Sequence, residues 1–115
     1  MRLAEHKCVP CKGGVPPLSP DESASLLTQL DGWQIADGKQ LQKSYKVANF
    51  VDAMNFANAI TPVAEAEGHH PDISVKWGEL GVMLWTHSIG GLTHSDFYMA
   101  AKIDDVFTAL QQGKK

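Results

Sequence analysis

The apolar period of this chain changes within a few residues, and that change limits its fold more than any other feature. Phe50, Met54, Ala57, Ile60 and Ala64 recur at spacings of three and four, which places them on one face of a helix of roughly five turns. After Pro71 the spacing drops to two. Ile73, Val75 and Trp77 alternate with Asp72, Ser74 and Lys76, as in a strand with one wet face. Asn49 suits the cap before the helix and Gly68 the stop after it. Pro62 removes a backbone donor inside the run and is expected to kink or split the helix, with Thr61 recapping its second half.

The same switching recurs on both sides. Ser19, Pro20 and Glu22 form a capping-box signature that opens a short helix to about Leu30, ended by Asp31-Gly32. Trp33 to Ile35 and Gln40 to Val47 read as strands around the turn Asp37-Gly38. Beyond the turn at Gly78-Glu79, the run Leu80 to His87 is apolar on both faces: Val82 and Leu84 point one way, Met83, Trp85 and His87 the other. Thr93 with Asp96 resembles a capping box, with Asp for the usual Glu. It opens a last helix with Phe97, Ala100, Ile103, Phe107 and Leu110 inward. The order α-β-β-α-β-β-α predicts an α+β single domain, a four-stranded antiparallel sheet with three helices on one face. Residues 1–18 read as an N-terminal arm and 19–115 as the folded domain.

A chain of 115 residues, 43% hydrophobic and 20% charged, has the size and composition of one soluble domain. A net charge of -3 leaves no basic footprint, so nucleic acid is not expected as a partner. No apolar run reaches membrane-spanning length, and the first residues, MRLAEHKCVPCKGG, lack a signal-peptide stretch. A cytosolic protein with reduced cysteines is the expectation. Cys8 and Cys11 form a C-x-x-C pair near His6, three potential ligands where structural zinc takes four. No strand precedes the pair, as a thioredoxin-like motif requires, so the arm is expected to be a loose tail without metal.

The joint between helix and strand reads EGHHPDISVKW, Glu67 to Trp77. Glu65 and His69 are four apart and, on a continuing helix, face the same way. His70 precedes Pro71, which biases its backbone toward the extended form. His87 returns to the same end of the layout after a hairpin. Three readings fit this cluster: a metal site, an acid–base site using imidazoles that titrate near neutrality, or histidines with no particular task. The helical zinc spacing H-x-x-x-H is absent, which counts against metal.

The segments AEAEGHHPD (64–72) and LWTHSIGGLTHSD (84–96) resemble the pterin-4a-carbinolamine dehydratases. That family carries a glutamate before His-His-Pro-acid, then Thr-His on a later strand, then Gly-Leu-Thr and an Asp opening the last helix. The resemblance spans Leu18 to about Leu110 and extends to the C-x-x-C arm seen in many bacterial members. It implies dehydration of a 4a-hydroxytetrahydropterin to the quinonoid dihydropterin plus water, recycling the pterin of aromatic amino acid hydroxylases without cofactor or metal. By the same motif His69, His70 and His87 carry the site, with His70 as the main acid–base group. Glu65 is expected to orient His69, and Pro71, Asp72, Thr86, Ser88 and Asp96 to bind substrate or support the site. The resemblance also implies a homodimer or homotetramer joined at edge strands. The doubly apolar Leu80–His87 points the same way, with Met83 and Trp85 exposed on the open face and Phe56 and Val63 available for a second contact. The same fold also serves some relatives as a non-catalytic dimerisation or assembly partner, which is the alternative reading.

Overall fold

The computed structural model describes residues 3–6 and 16–112. A 3-10 turn at Leu3–Glu5 precedes α1 (Pro20–Leu27), β1 (Gln34–Ala36), β2 (Gln40–Lys46), α2 (Phe50–Glu67), β3 (Asp72–Lys76), β4 (Glu79–Leu84) and α3 (His94–Gln112). The α-β-β-α-β-β-α order and the four-stranded antiparallel sheet match the expectation, and the strands lie in the order β1-β2-β4-β3. None of the described helices is long and apolar enough to cross a membrane.

Local chemistry starts each element. The Ser19 hydroxyl accepts from Glu22 N–H at 3.1 Å, and Glu22 Oε1 accepts from Ser19 N–H at 3.0 Å, closing the capping box of α1. Hydrogen bonding from the Ser19 backbone, and then from its side chain, holds the Glu22 carboxyl below its ordinary range. The β1–β2 turn places Asp37 at φ 53° and Gly38 at φ 68°, the left-handed backbone that this pair favours.

Helix α2 runs unbroken through Pro62, against the expected split. Thr61 bonds back to the Ala57 carbonyl at 3.2 Å and recaps nothing. Pro62 sits on the exposed side, so the missing donor is a single loss in a helix whose other face is packed. That face also differs from the expected stripe. Ala53, Phe56, Ile60 and Ala64 are buried, whereas Phe50 and Met54 are 49% and 40% exposed. Phe56, expected at a second subunit contact, is a core residue.

The helix-facing side of the sheet pairs Leu41 with Leu84 and Tyr45 with Leu80, all buried, and α3 supplies Phe97, Met99, Ala100 and Ile103. One carboxylate ties sheet to helix. Asp104 on α3 accepts from Trp33 Nε1 at 3.0 Å, Lys43 Nζ at 2.9 Å and the Tyr45 hydroxyl at 2.5 Å. Burial, and then the charge of Asp104, push the Tyr45 phenol far above its ordinary value.

The opposite face is wetter than expected. Across the register Gln34, Gln42, Met83 and Asp72 form one row and Ser44, Gly81 and Ser74 the next, flooring a recess of about 590 Å³. Met83 and Trp85 are half-buried, so the predicted patch is absent there. Among the described residues the large exposed apolar ones are Phe50, Val51, Met54, Ile73 and Trp77. Strand β4 ends at Leu84, short of His87, because the chain turns from Thr86, whose carbonyl accepts from both Ile89 and Gly90 N–H.

The described part of the arm is docked, contrary to the loose tail expected. Leu3 is buried, Lys102 Nζ donates to the Ala4 carbonyl at 2.6 Å, and the His6 ring stacks on Tyr98 at 4.6 Å. Leu18 N–H donates to the Leu92 carbonyl at 2.8 Å. An apolar side chain this near a helix is held by the area it removes from water. Cys8 and Cys11 lie outside the described residues.

Candidate active site

The joint is shaped by Gly68. It ends α2 in the left-handed region, φ 63° and ψ 27°, and its N–H bonds to the Ala64 carbonyl. That conformation suits glycine because no Cβ collides with the carbonyl. The turn takes His69 off the helix, so the expected pairing with Glu65 does not form. Instead Glu65 Oε2 lies 2.5 Å from Nε2 of His70, with both side chains mostly exposed, 68% and 62%. Pro71 then carries the extended chain into β3, where Asp72 lines the sheet-face recess.

His69 turns inward. Its Nε2 lies 2.6 Å from Oδ1 of Asp96, which is fully buried. The other oxygen, Oδ2, accepts from the Thr86 hydroxyl and from Thr93 N–H, each at 2.9 Å. Thr86 Oγ1 is also 2.9 Å from Thr93 Oγ1. The carboxylate that caps the first turn of α3 therefore also holds His69. A buried carboxylate needs such a set of donors to be tolerated. The chain His69–Asp96–Thr86 joins the α2–β3 joint to the segment leading into α3.

His87 follows Thr86 on the exposed turn. Its imidazole stacks on the Trp85 indole with centroids 4.2 Å apart and planes 2° from parallel. Ser88, next along, is exposed. Two supporting residues stood outside the motif-based site. Thr93 was visible in the sequence as a cap at the Thr-x-x-Asp spacing, and Trp85 as the residue two before His87 on the same side of an extended chain. Among the described residues no three His, Cys, Asp or Glu side chains are grouped to hold a metal ion.

The described geometry offers three imidazoles, His69 oriented by a buried carboxylate, His70 by an exposed carboxylate and His87 by an aromatic face. Such groups can donate and accept protons near neutral pH. Comparison with known proteins agrees with that chemistry. The family model for pterin 4 alpha carbinolamine dehydratase matches residues 16–106. A protein of Rubrobacter xylanophilus, provisionally named a pterin-4-alpha-carbinolamine dehydratase, is 49% identical over 102 residues, covering 89% of this chain and 95% of its own. A Rickettsia canadensis protein with the same provisional name is 50% identical over 103 residues, covering 89% of this chain and 94% of its own. The crystal structure of a transcriptional coactivator/pterin dehydratase from Brucella melitensis superposes with a TM-score of 0.74 at 34% identity, covering 78% of this chain and 97% of that one. A pterin dehydratase-like RuBisCO assembly factor of the alpha-carboxysome shares the fold at a TM-score of 0.56 and 18% identity, covering 65% of this chain and 88% of that one. With its joint histidines, its capping carboxylate and relatives matched over nearly their full length, the chain belongs to the pterin 4-alpha-carbinolamine dehydratase family, whose reaction is that of a hydro-lyase.

Proposed function

We propose that this chain dehydrates a 4a-hydroxytetrahydropterin to the quinonoid dihydropterin, returning the pterin to aromatic amino acid hydroxylases. The observation that supports this reading is the joint itself, where His69 is held on Asp96 and the neighbouring His70 on Glu65. In the reaction the C4a–O bond breaks as the hydroxyl takes a proton and leaves as water. The N5 proton is lost, and its electron pair forms the C4a–N5 double bond. His70, exposed and paired with Glu65, is the group assigned to the departing hydroxyl. His69 and His87 position the pterin and share the N5 proton transfer. Thr86, Asp96 and Glu65 support the imidazoles, and Pro71, Asp72 and Ser88 frame the approach. Acid–base groups alone complete this chemistry, so the proposal includes no metal or cofactor.

The assembly we propose is a symmetric homodimer or homotetramer. Strand β3 is a sheet edge in the single chain, with its own Ile73 exposed, and an open edge of this kind is relieved by pairing with a second copy. The name of the Brucella melitensis structure favours a second reading, a coactivator-like binding role on the same fold. The deciding experiment is a stopped-flow dehydration assay with a synthetic 4a-hydroxytetrahydropterin. Turnover well above the spontaneous rate supports the enzyme. A rate equal to the spontaneous one, from correctly folded protein, leaves the binding role.

A further inference from the structure

We infer that Trp85 is the positioning residue of His87: its indole face holds the imidazole in one plane and leaves both ring nitrogens open to a bound molecule. The kinetic consequence rests on the dehydratase reading, whereas the contact does not.

The three candidate histidines are held in different ways. His69 commits Nε2 to Asp96 and His70 commits Nε2 to Glu65. Among the described residues His87 has no hydrogen-bonded or ionic partner, and its ring lies flat on Trp85 instead, 4.2 Å away and within 2° of parallel. A hydrogen-bonding partner orients an imidazole by occupying a nitrogen, but a stacking partner orients it through the ring face. His87 is therefore the candidate histidine that can accept at one nitrogen while donating from the other.

The platform is itself fixed. Trp85 is half-buried between two buried neighbours, Leu84 and Thr86, and Thr86 is pinned by its bridge to Gly91 and its bond to Asp96. Stacking also survives a change of charge. A neutral imidazole is attracted to the indole face by ring stacking, and an imidazolium by the quadrupole of the indole. An acid–base group that changes charge in each cycle thus keeps one orientation throughout. Without the indole, an exposed imidazole on a turn spreads over several staggered rotamers, and a smaller fraction points at the substrate.

The test combines kinetics with proton NMR of the His87 ring. Trp85→Leu is expected to lower kcat about tenfold with a smaller change in KM, and Trp85→Phe to restore most of it. In a His87→Ala background Trp85→Leu is expected to add no further loss. In the unaltered protein the His87 Cδ2 and Cε1 protons are expected to be shifted upfield by the indole ring current, and Trp85→Leu to abolish the shift. An equal loss from Trp85→Leu with and without His87, or unshifted ring protons in the unaltered protein, overturns the inference. If the unaltered protein does not dehydrate the pterin, the proposed function fails, and the ring-proton shift alone decides whether Trp85 orients His87.

Discussion

Nε2 of His69 lies 2.6 Å from Oδ1 of Asp96, a carboxylate with no exposed surface that also caps the helix on which it sits. Stability and site geometry therefore share one residue. Asp96→Asn keeps the size of the side chain but replaces an ionised acceptor with an amide that cannot serve His69, Thr86 and Thr93 N–H together. We expect turnover to fall at least about tenfold, from lost orientation of His69, and the fold to lose about 1–3 kcal/mol. Paired kinetics and chemical denaturation check this. A variant with full activity and lowered stability shows a cap without a catalytic role.

His70 makes the opposite case. Its side chain is 62% exposed and its partner Glu65 68%, so the pair contributes little to stability. His70→Ala is expected to lose about 10²–10⁴-fold in turnover and to melt with the unaltered protein. Near-normal turnover from a folded variant would remove His70 from the mechanism. His69→Ala and His87→Ala are expected to be milder singly and severe together.

Tyr45 gives the fold an alkaline limit. Burial, with Asp104 beside it, raises its phenol far above the ordinary 10.0, so the folded chain keeps a proton that the unfolded chain releases above that pH. Where the unfolded state binds fewer protons, stability falls as pH rises. The contribution is therefore complete below about pH 10 and declines above it, by about 1.4 kcal/mol per pH unit. Tyr45→Phe is expected to show a shallower decline in urea melts between pH 9.5 and 11. Identical slopes would mean that the phenol titrates normally.

The docked arm changes what a truncation does. Removing residues 1–15 takes away buried Leu3, the Lys102–Ala4 bond and the His6–Tyr98 stacking, while leaving the Leu18–Leu92 bond and His69, His70 and His87 in place. We expect a loss of about 1.5–3 kcal/mol, the value of one buried leucine, with turnover retained below the melting range. Exhaustive chelation of the full chain is expected to leave turnover unchanged. Loss on chelation, restored by zinc, would assign a working metal to His6 or to the cysteines that follow it.

The elements are legible in the sequence because their signals are local. The Ser19–Glu22 box, the Asp37-Gly38 turn and the Gly68 stop each depend on residues a few positions apart, and each forms as read, whereas the β3 run forms a strand that leaves Ile73 exposed and ends before the exposed Trp77. The inward face of α2 was read from Phe50 and Met54, yet packing chose Ala53 and Phe56, because a stripe one residue away has nearly the same period and only the shape of the opposing sheet separates them. Pro62 was expected to split the helix, but its exposed position makes the missing bond a small loss beside the packed face.

The site divides in the same way. The proposal of His69, His70 and His87 as its working groups comes from the family resemblance, a property of the chain, whereas their spacing alone left metal, acid–base and no-task readings open. Which group holds which histidine was decided by tertiary structure. Helical spacing pointed Glu65 at His69, but the left-handed turn at Gly68 gives Glu65 to His70 and sends His69 to Asp96, 27 residues away. A sequence pattern carries the identity of the groups and their local geometry. The pairing of side chains distant along the chain follows only after the sheet and helices have packed and fixed where each backbone direction leads.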